Sequence, residues 1–117
     1  MRTIPTSELI AAIRTALASD RLLATKGSFG TLWRDDLDCG CALGCALLRP
    51  EIEAARAAHI NSAQMLNGLE IVYFENPQLA CELSFAHDRW GMLVHDGLLD
   101  AAADARAKFV ALLEESR

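Results

Sequence analysis

The sequence predicts an all-α fold: a single compact bundle of roughly five short helices forming one helical domain over residues 1–117, with a short strand-like segment near 69–74. Three observations predict it. Hydrophobic residues make up 52% of 117 residues, enough to fill one core in a chain too short for two domains of ordinary size. Ala and Leu, neither of them β-branched, are abundant, which favours helix over strand. Apolar residues also return every three or four positions, the spacing that gathers them on one helix face.

Thr6 or Ser7 is placed to cap a first helix whose apolar face is Leu9, Ile10, Ile13 and Leu17. Ser19-Asp20 ends or bends it, because both side chains compete for backbone hydrogen bonds. Leu22 and Leu23 carry the pattern to Lys26-Gly27, where glycine suits a left-handed closing residue. Gly27-Ser28-Phe29-Gly30 and the stretch from Asp35 to Asp38 read as connections, with Trp33 anchoring the loop on the helices. The first of these lacks the spacing and the Lys-Ser/Thr of a phosphate-cradling loop, so it is read as a plain turn.

Asp38 is placed to cap a helix from Cys39 through Leu48, small and apolar on nearly every side, hence central and surrounded, with Gly44 admitting a neighbour close to its backbone. Pro50-Glu51 suits the first turn of the next helix, with Ile52, Ala55, His59, Ala63 and Leu66 on one face and Asn67-Gly68 at its end. Leu69 to Phe74 is left open between strand and helical turn: Ile71-Val72-Tyr73-Phe74 favours strand, but no second strand to pair with it is evident. Asn76-Pro77 starts a helix from Gln78 to about Trp90, lined by Leu79, Leu83 and Ala86. Gly91 and His95-Asp96-Gly97 break the chain, and Leu98 to Glu115 forms the last amphipathic helix on Leu98, Ala102, Ala105, Phe109 and Leu112 or Leu113.

A net charge of −5, with acidic and basic residues interspersed and no basic stripe, disfavours unaided nucleic-acid binding. It suits solubility and a protein partner with a basic surface. The longest uninterrupted apolar tract in the middle of the chain, Cys41 to Leu48, is too short to span a bilayer, so no membrane role is expected. The start of the chain lacks a secretion signal, and a cytoplasmic setting with reduced cysteines is expected.

Cys39-Gly40-Cys41-Ala42-Leu43-Gly44-Cys45 is the most unusual local feature. On a helix Cys41 and Cys45 share a face, Cys39 at the capping end can swing toward them, and Cys81, His59 or His87 can supply a fourth ligand. Such a soft shell would suit zinc or an iron–sulfur cluster, although the spacing is not the C-x-x-C of usual zinc modules. Set against this are core packing, since cysteine is among the residues most often buried, and thiol redox chemistry at a helix start. His59, His87 and Asp88, with Asp100 or Asp104, resemble in order the helical HD-type metal phosphohydrolases; that resemblance implies a divalent metal activating water against a phosphate. The competing readings place His59 at the edge of the core and His87 or Asp88 at a solvated surface, capping the helix or paired with Arg89.

Cys41-Ala42-Leu43-Gly44 followed by Cys45-Ala46-Leu47, and Phe85-Ala86-His87-Asp88 with the closing helix near Phe109, resemble small uncharacterised helical proteins of actinobacteria and their phages. In those a Cys-Ala-Leu-Gly-Ala-Leu type helix and a later Asn-Asp pair recur; here Cys45 is an extra residue and His87 stands at the Asn position. The resemblance implies a helical fold and no particular activity. The few convergent polar residues, the mild negative charge and the many Ala-lined helix faces point to an interaction or regulatory domain, acting through an apolar groove or acidic face on a protein partner, or as a homodimer.

Overall fold

A computed structural model describes residues 2–60 and 63–115, with only the backbone of Ala63 and Gln64. The order along the chain is β1 (Arg2–Ile4), α1 (Thr6–Ala18), a 3-10 turn (Leu23–Lys26), β2 (Trp33–Arg34), β3 (Cys39–Gly40), a second 3-10 turn (Gly44–Ala46), α2 (Arg49–Ala57), α3 (Ala63–Gly68), β4 (Val72–Phe74), α4 (Pro77–His95) and α5 (Leu99–Glu115). The architecture is a helical bundle with minor strand content, with a radius of gyration of 13.1 Å. Its core is one cluster running from Ile4 and Ile13 through Leu43 and Leu66 to Leu83, Phe109 and Leu113.

Helix α1 buries Leu9, Ile10, Ile13 and Ala16, with Leu17 at the edge, close to the expected face. Its N-terminus differs from expectation. Pro5 is the cap residue, Thr6 lies already inside the helix, and the free Thr6 N–H is accepted by Glu75 Oε1 at 3.1 Å. Glu75 is available because the segment before it is a strand: β4 runs parallel to β1, Arg2 opposite Val72 and Ile4 opposite Phe74, and Glu75 N–H donates to Ile4 O at 2.9 Å. The second strand that seemed missing thus lies at the start of the chain. Arg2 pins it further, donating to Glu51 through Nε and Nη2 (3.1 and 2.7 Å), to Ala46 O (2.9 Å) and to Glu8 (2.8 Å). Burial pushes the Glu51 carboxyl up, but hydrogen bonds from Arg2 and the Leu48 N–H outweigh it and hold it below its ordinary value.

Four helices end in the same way, with paired hydrogen bonds around one left-handed residue. After α4, Gly97 (φ 74°) carries the bonds Leu98 N–H to Leu93 O (3.0 Å) and Gly97 N–H to Val94 O (3.1 Å). After α1, α2 and α3 the left-handed residue is Asp20, His59 and Glu70, at φ 57°, 56° and 56°. The closing bonds there are Arg21 N–H to Ala16 O, Ile60 N–H to Ala55 O and Ile71 N–H to Leu66 O. The α1 and α3 ends fall at the expected Ser19-Asp20 and Asn67-Gly68, whereas the end of α2 has no glycine to mark it. Between α2 and α3 the helix expected to run on from Pro50-Glu51 is therefore broken at His59; residues 61–62 lie outside the described residues, as does the side chain of Ala63.

The largest departure is Cys39 to Leu48. Instead of one α-helix, Cys39–Gly40 pairs antiparallel with Trp33–Arg34. Gly40 N–H is taken by Arg21 O and Cys41 N–H by Leu32 O, both at 3.0 Å, and only the 3-10 turn Gly44–Ala46 remains helical. Two glycines make this a poor helix at about 1 kcal/mol each, and the backbone carbonyls of Arg21 and Leu32 capture its donors. The expectation that the segment is central still holds: Cys39 through Gly44 are all buried. A Cβ on Gly44 would overlap the Leu32 carbonyl, so glycine does admit a neighbour's backbone there.

Helix α4 begins as expected, with Asn76 Oδ1 accepting from Leu79 N–H at 3.1 Å. It continues past Trp90 through Gly91 to His95, because Gly91 is where the segment after the first 3-10 turn crosses it: a Cβ there would stand 2.6 Å from Ser28 O. Helix α5 packs along α4 on Ala102, Ala105, Phe109 and Leu113.

Candidate functional site

Helix α4 carries Cys81, His87, Asp88 and His95, while Cys39, Cys41, Cys45 and His59 lie in earlier segments. At 100° per residue its buried residues Leu79, Ala80, Leu83, His87, Trp90 and Gly91 fall on one side. His87 is fully buried, edge-on to both Trp90 and Phe109 with ring centroids 6.3 and 6.2 Å apart. Ala24 N–H donates to its Nε2 at 3.1 Å, so that nitrogen carries no proton; the proton sits on Nδ1 and faces Asp88 Oδ1 at 3.0 Å. Both ring nitrogens are engaged, and the ring is a latch between α4 and the first 3-10 turn. His87 is therefore not at the solvated surface that one sequence reading gave it. His59 is exposed at the end of α2 and not at the core edge. Asp100 and Asp104 are exposed on α5.

The three clustered thiols are each tied into their own loop. Cys39 Sγ donates to Leu37 O at 3.2 Å, Cys45 Sγ donates to Cys41 O at 3.1 Å, and Cys41 Sγ accepts from Gly44 N–H at 3.4 Å. Burial pushes the Cys41 and Cys45 thiols up to about 12 and raises Cys39 as well. A thiolate is the form that a metal or a disulfide exchange needs, and burial disfavours it here. Cys81 is half-buried on α4, and all four cysteines are free. Among the described residues no three His, Cys, Asp or Glu side chains gather as a set that could hold a metal ion. Cys39, Cys41, Cys45, Cys81 and His87 thus do not form the joint shell sketched from the sequence, nor do His59, His87 and Asp88 form the other.

The opposite side of α4 is unlike an ordinary solvated helix face. Phe85, in the middle of this 19-residue helix, is 75% exposed, and Met92 follows two turns later on the same line. Its flanks are polar: Gln78, Glu82 and Arg89 are exposed and Asp88 is half-buried. Phe29, 41% exposed, stands edge-on against His95 with ring centroids 6.1 Å apart and widens the apolar surface at the C-terminal end of α4. Leu98 and Leu99 are exposed at the turn into α5. The sequence reading listed the inward residues of this helix and passed over the outward ones; the signal was available, since Phe85 and Met92 are seven apart and out of phase with Leu79 and Leu83.

Two of the surface concavities bear on these residues. A groove of about 300 Å3 runs along α1 over Ala11, Ala12 and Ala16, walled by Trp33, Arg21 and Cys45. Arg21 is already committed there, lying over the Trp33 ring and paired with Asp38 at 2.8 Å. A second, of about 400 Å3, lies beside the outer edge of α4 and is lined by Gln78, Glu82 and Glu115 among others.

Fold and surface together define a small helical bundle whose longest helix is buried on one side and shows Phe85 and Met92 between polar flanks on the other. None of the protein families, curated proteins and solved structures compared with the chain matches it. No helix among the described residues is long and apolar enough to cross a membrane.

Proposed function

We propose that this is a cytoplasmic protein-interaction domain that presents the outer face of α4 to a protein partner. A single observation carries the reading: Phe85 is 75% exposed at the centre of the longest helix, with Met92 two turns further along the same line and charges on either flank. A large aromatic ringed by polar groups is the usual composition of the centre of a protein contact. An amphipathic helix face offered outward is one of the recurring ways such contacts are made. Kinship with the small helical actinobacterial and phage proteins is proposed alongside, on Cys41 to Leu47 and Phe85 to Asp88, and it assigns no activity.

The reading is tested with a photo-reactive phenylalanine analogue at position 85, compared with the same analogue at exposed Ala107 on α5, in living cells. Protein adducts from 85 and none from 107 are expected. No protein adduct from 85 overturns the proposal.

A further inference from the structure

We infer that the occupant of the α4 outer face is a second copy of this chain, laid antiparallel across a two-fold axis at Phe85, with Glu82 of each copy facing Arg89 of the other. This rests on the reading of that face as a protein contact and goes further by naming the partner. The first support is the position of the charges. Counting 100° per residue, Glu82 and Arg89 lie about 60° and 40° from Phe85 on the same side, three residues before it and four after it. A two-fold axis perpendicular to the helix, running in the contact plane through Phe85, carries each edge onto itself and reverses its direction. Glu82 of one copy therefore meets Arg89 of the other, twice, while Phe85 stacks on its own counterpart and Met92 lies over Gln78.

The opposite edge holds Cys81 and Asp88, which meet each other under the same operation, so no like charges come face to face. The partners are also free to pair. Among the described residues Arg89 makes no ion pair and Glu82 is engaged only by Gln78 Nε2 at 3.3 Å. The groove of about 400 Å3 bordered by Glu82 and Glu115 gives an incoming guanidinium two carboxylates and room to enter. A parallel pairing is the poorer fit. It sets Arg89 against Asp88, whose Oδ1 already faces His87, and aligns the two helix dipoles instead of opposing them.

One helix pair with a short aromatic extension falls at the small end of stable interfaces, which bury about 1,200–2,000 Å2. Association is accordingly expected with a Kd on the order of 10 μM, not nanomolar. Sedimentation equilibrium of the full chain from low micromolar to several hundred micromolar should show monomer and dimer and nothing larger, since an isologous contact closes at two. Glu82→Arg alone and Arg89→Glu alone are each expected to weaken the dimer at least tenfold, and the two together to restore it. Circular dichroism checks that these exposed substitutions leave the helices intact. A monomer at every concentration, species beyond the dimer, or a double exchange that fails to restore association overturns the inference. A monomer whose position-85 cross-linker still captures another protein removes the second copy while sparing the interaction reading.

Discussion

In the α4–α5 hairpin, side chains meet side chains: Leu83, His87 and Trp90 from one helix and Phe109 and Leu113 from the other form a periodic seam. In the segment from Leu22 to Leu47 the backbone itself is what packs, with Leu32 O against Gly44, Arg21 O receiving Gly40, and Ser28 O against Gly91 of α4. Both regions are buried, yet the seam is expected to absorb a change of volume better than the loop. A helix face relaxes by shifting rotamers, whereas a carbonyl packed on a glycine has no rotamer to shift.

The sharpest way to break this contrast is Gly44→Ala, which adds one methyl. The Leu32 backbone must move or the turn must open, and a loss above about 4 kcal/mol, or no folded protein, is expected in urea unfolding. A loss under about 1 kcal/mol would show that the loop relaxes as readily as the helices. Phe109→Ala removes far more volume from the hairpin, yet should cost about 3–4 kcal/mol and leave a folded protein, checked by the same melts and by near-ultraviolet dichroism.

Alkaline pH probes the loop selectively. Unfolded thiols release their protons near 9.0, whereas Cys41 and Cys45 hold theirs to about 12. Between those values the folded chain binds more protons than the unfolded one, so stability is complete below pH 9 and falls as pH rises. The slope is on the order of 1 kcal/mol per pH unit for each thiol. Urea midpoints at pH 8 and pH 10 check this, and Cys45→Ala should flatten the slope by about half. The smallest effect belongs to the outer side of the hairpin: Phe85→Ser should alter stability by no more than about 0.5 kcal/mol while abolishing self-association in sedimentation.

The same contrast explains what could be read from the residues alone. Helices α1, α4 and α5 were legible because their apolar residues recur at 3.6-residue spacing, as Ala102, Ala105, Phe109 and Leu113 do. Cys39 to Leu48 was misread as helix because its burial is real but unpatterned, and what shapes it is supplied by Arg21 and Leu32. The strand near 69–74 was visible as a propensity only, its partner lying some 70 residues away. The break at His59 was hidden because an αL conformation at a non-glycine residue costs about 1–2 kcal/mol and is not anticipated from sequence, whereas the α3 end was marked by Asn67-Gly68. At the candidate surface the inward half of α4 was recognised from its pattern. The outward half was not, for an exposed Phe85 acquires meaning only once the helix has been shown to bury its other side.

The pairing of β1 with β4 also sets a timetable for synthesis. Arg2–Ile4 leaves the ribosome long before Val72–Phe74 does, and at about 5–20 residues per second the delay is roughly 4–14 seconds. Throughout that interval Ile4 and the start of α1 have no edge to dock on, and Thr6 has no Glu75 to cap it. A nascent chain stalled before residue 72 should therefore present its leading segment to chaperones and proteases, and one stalled well beyond Glu75 should conceal it.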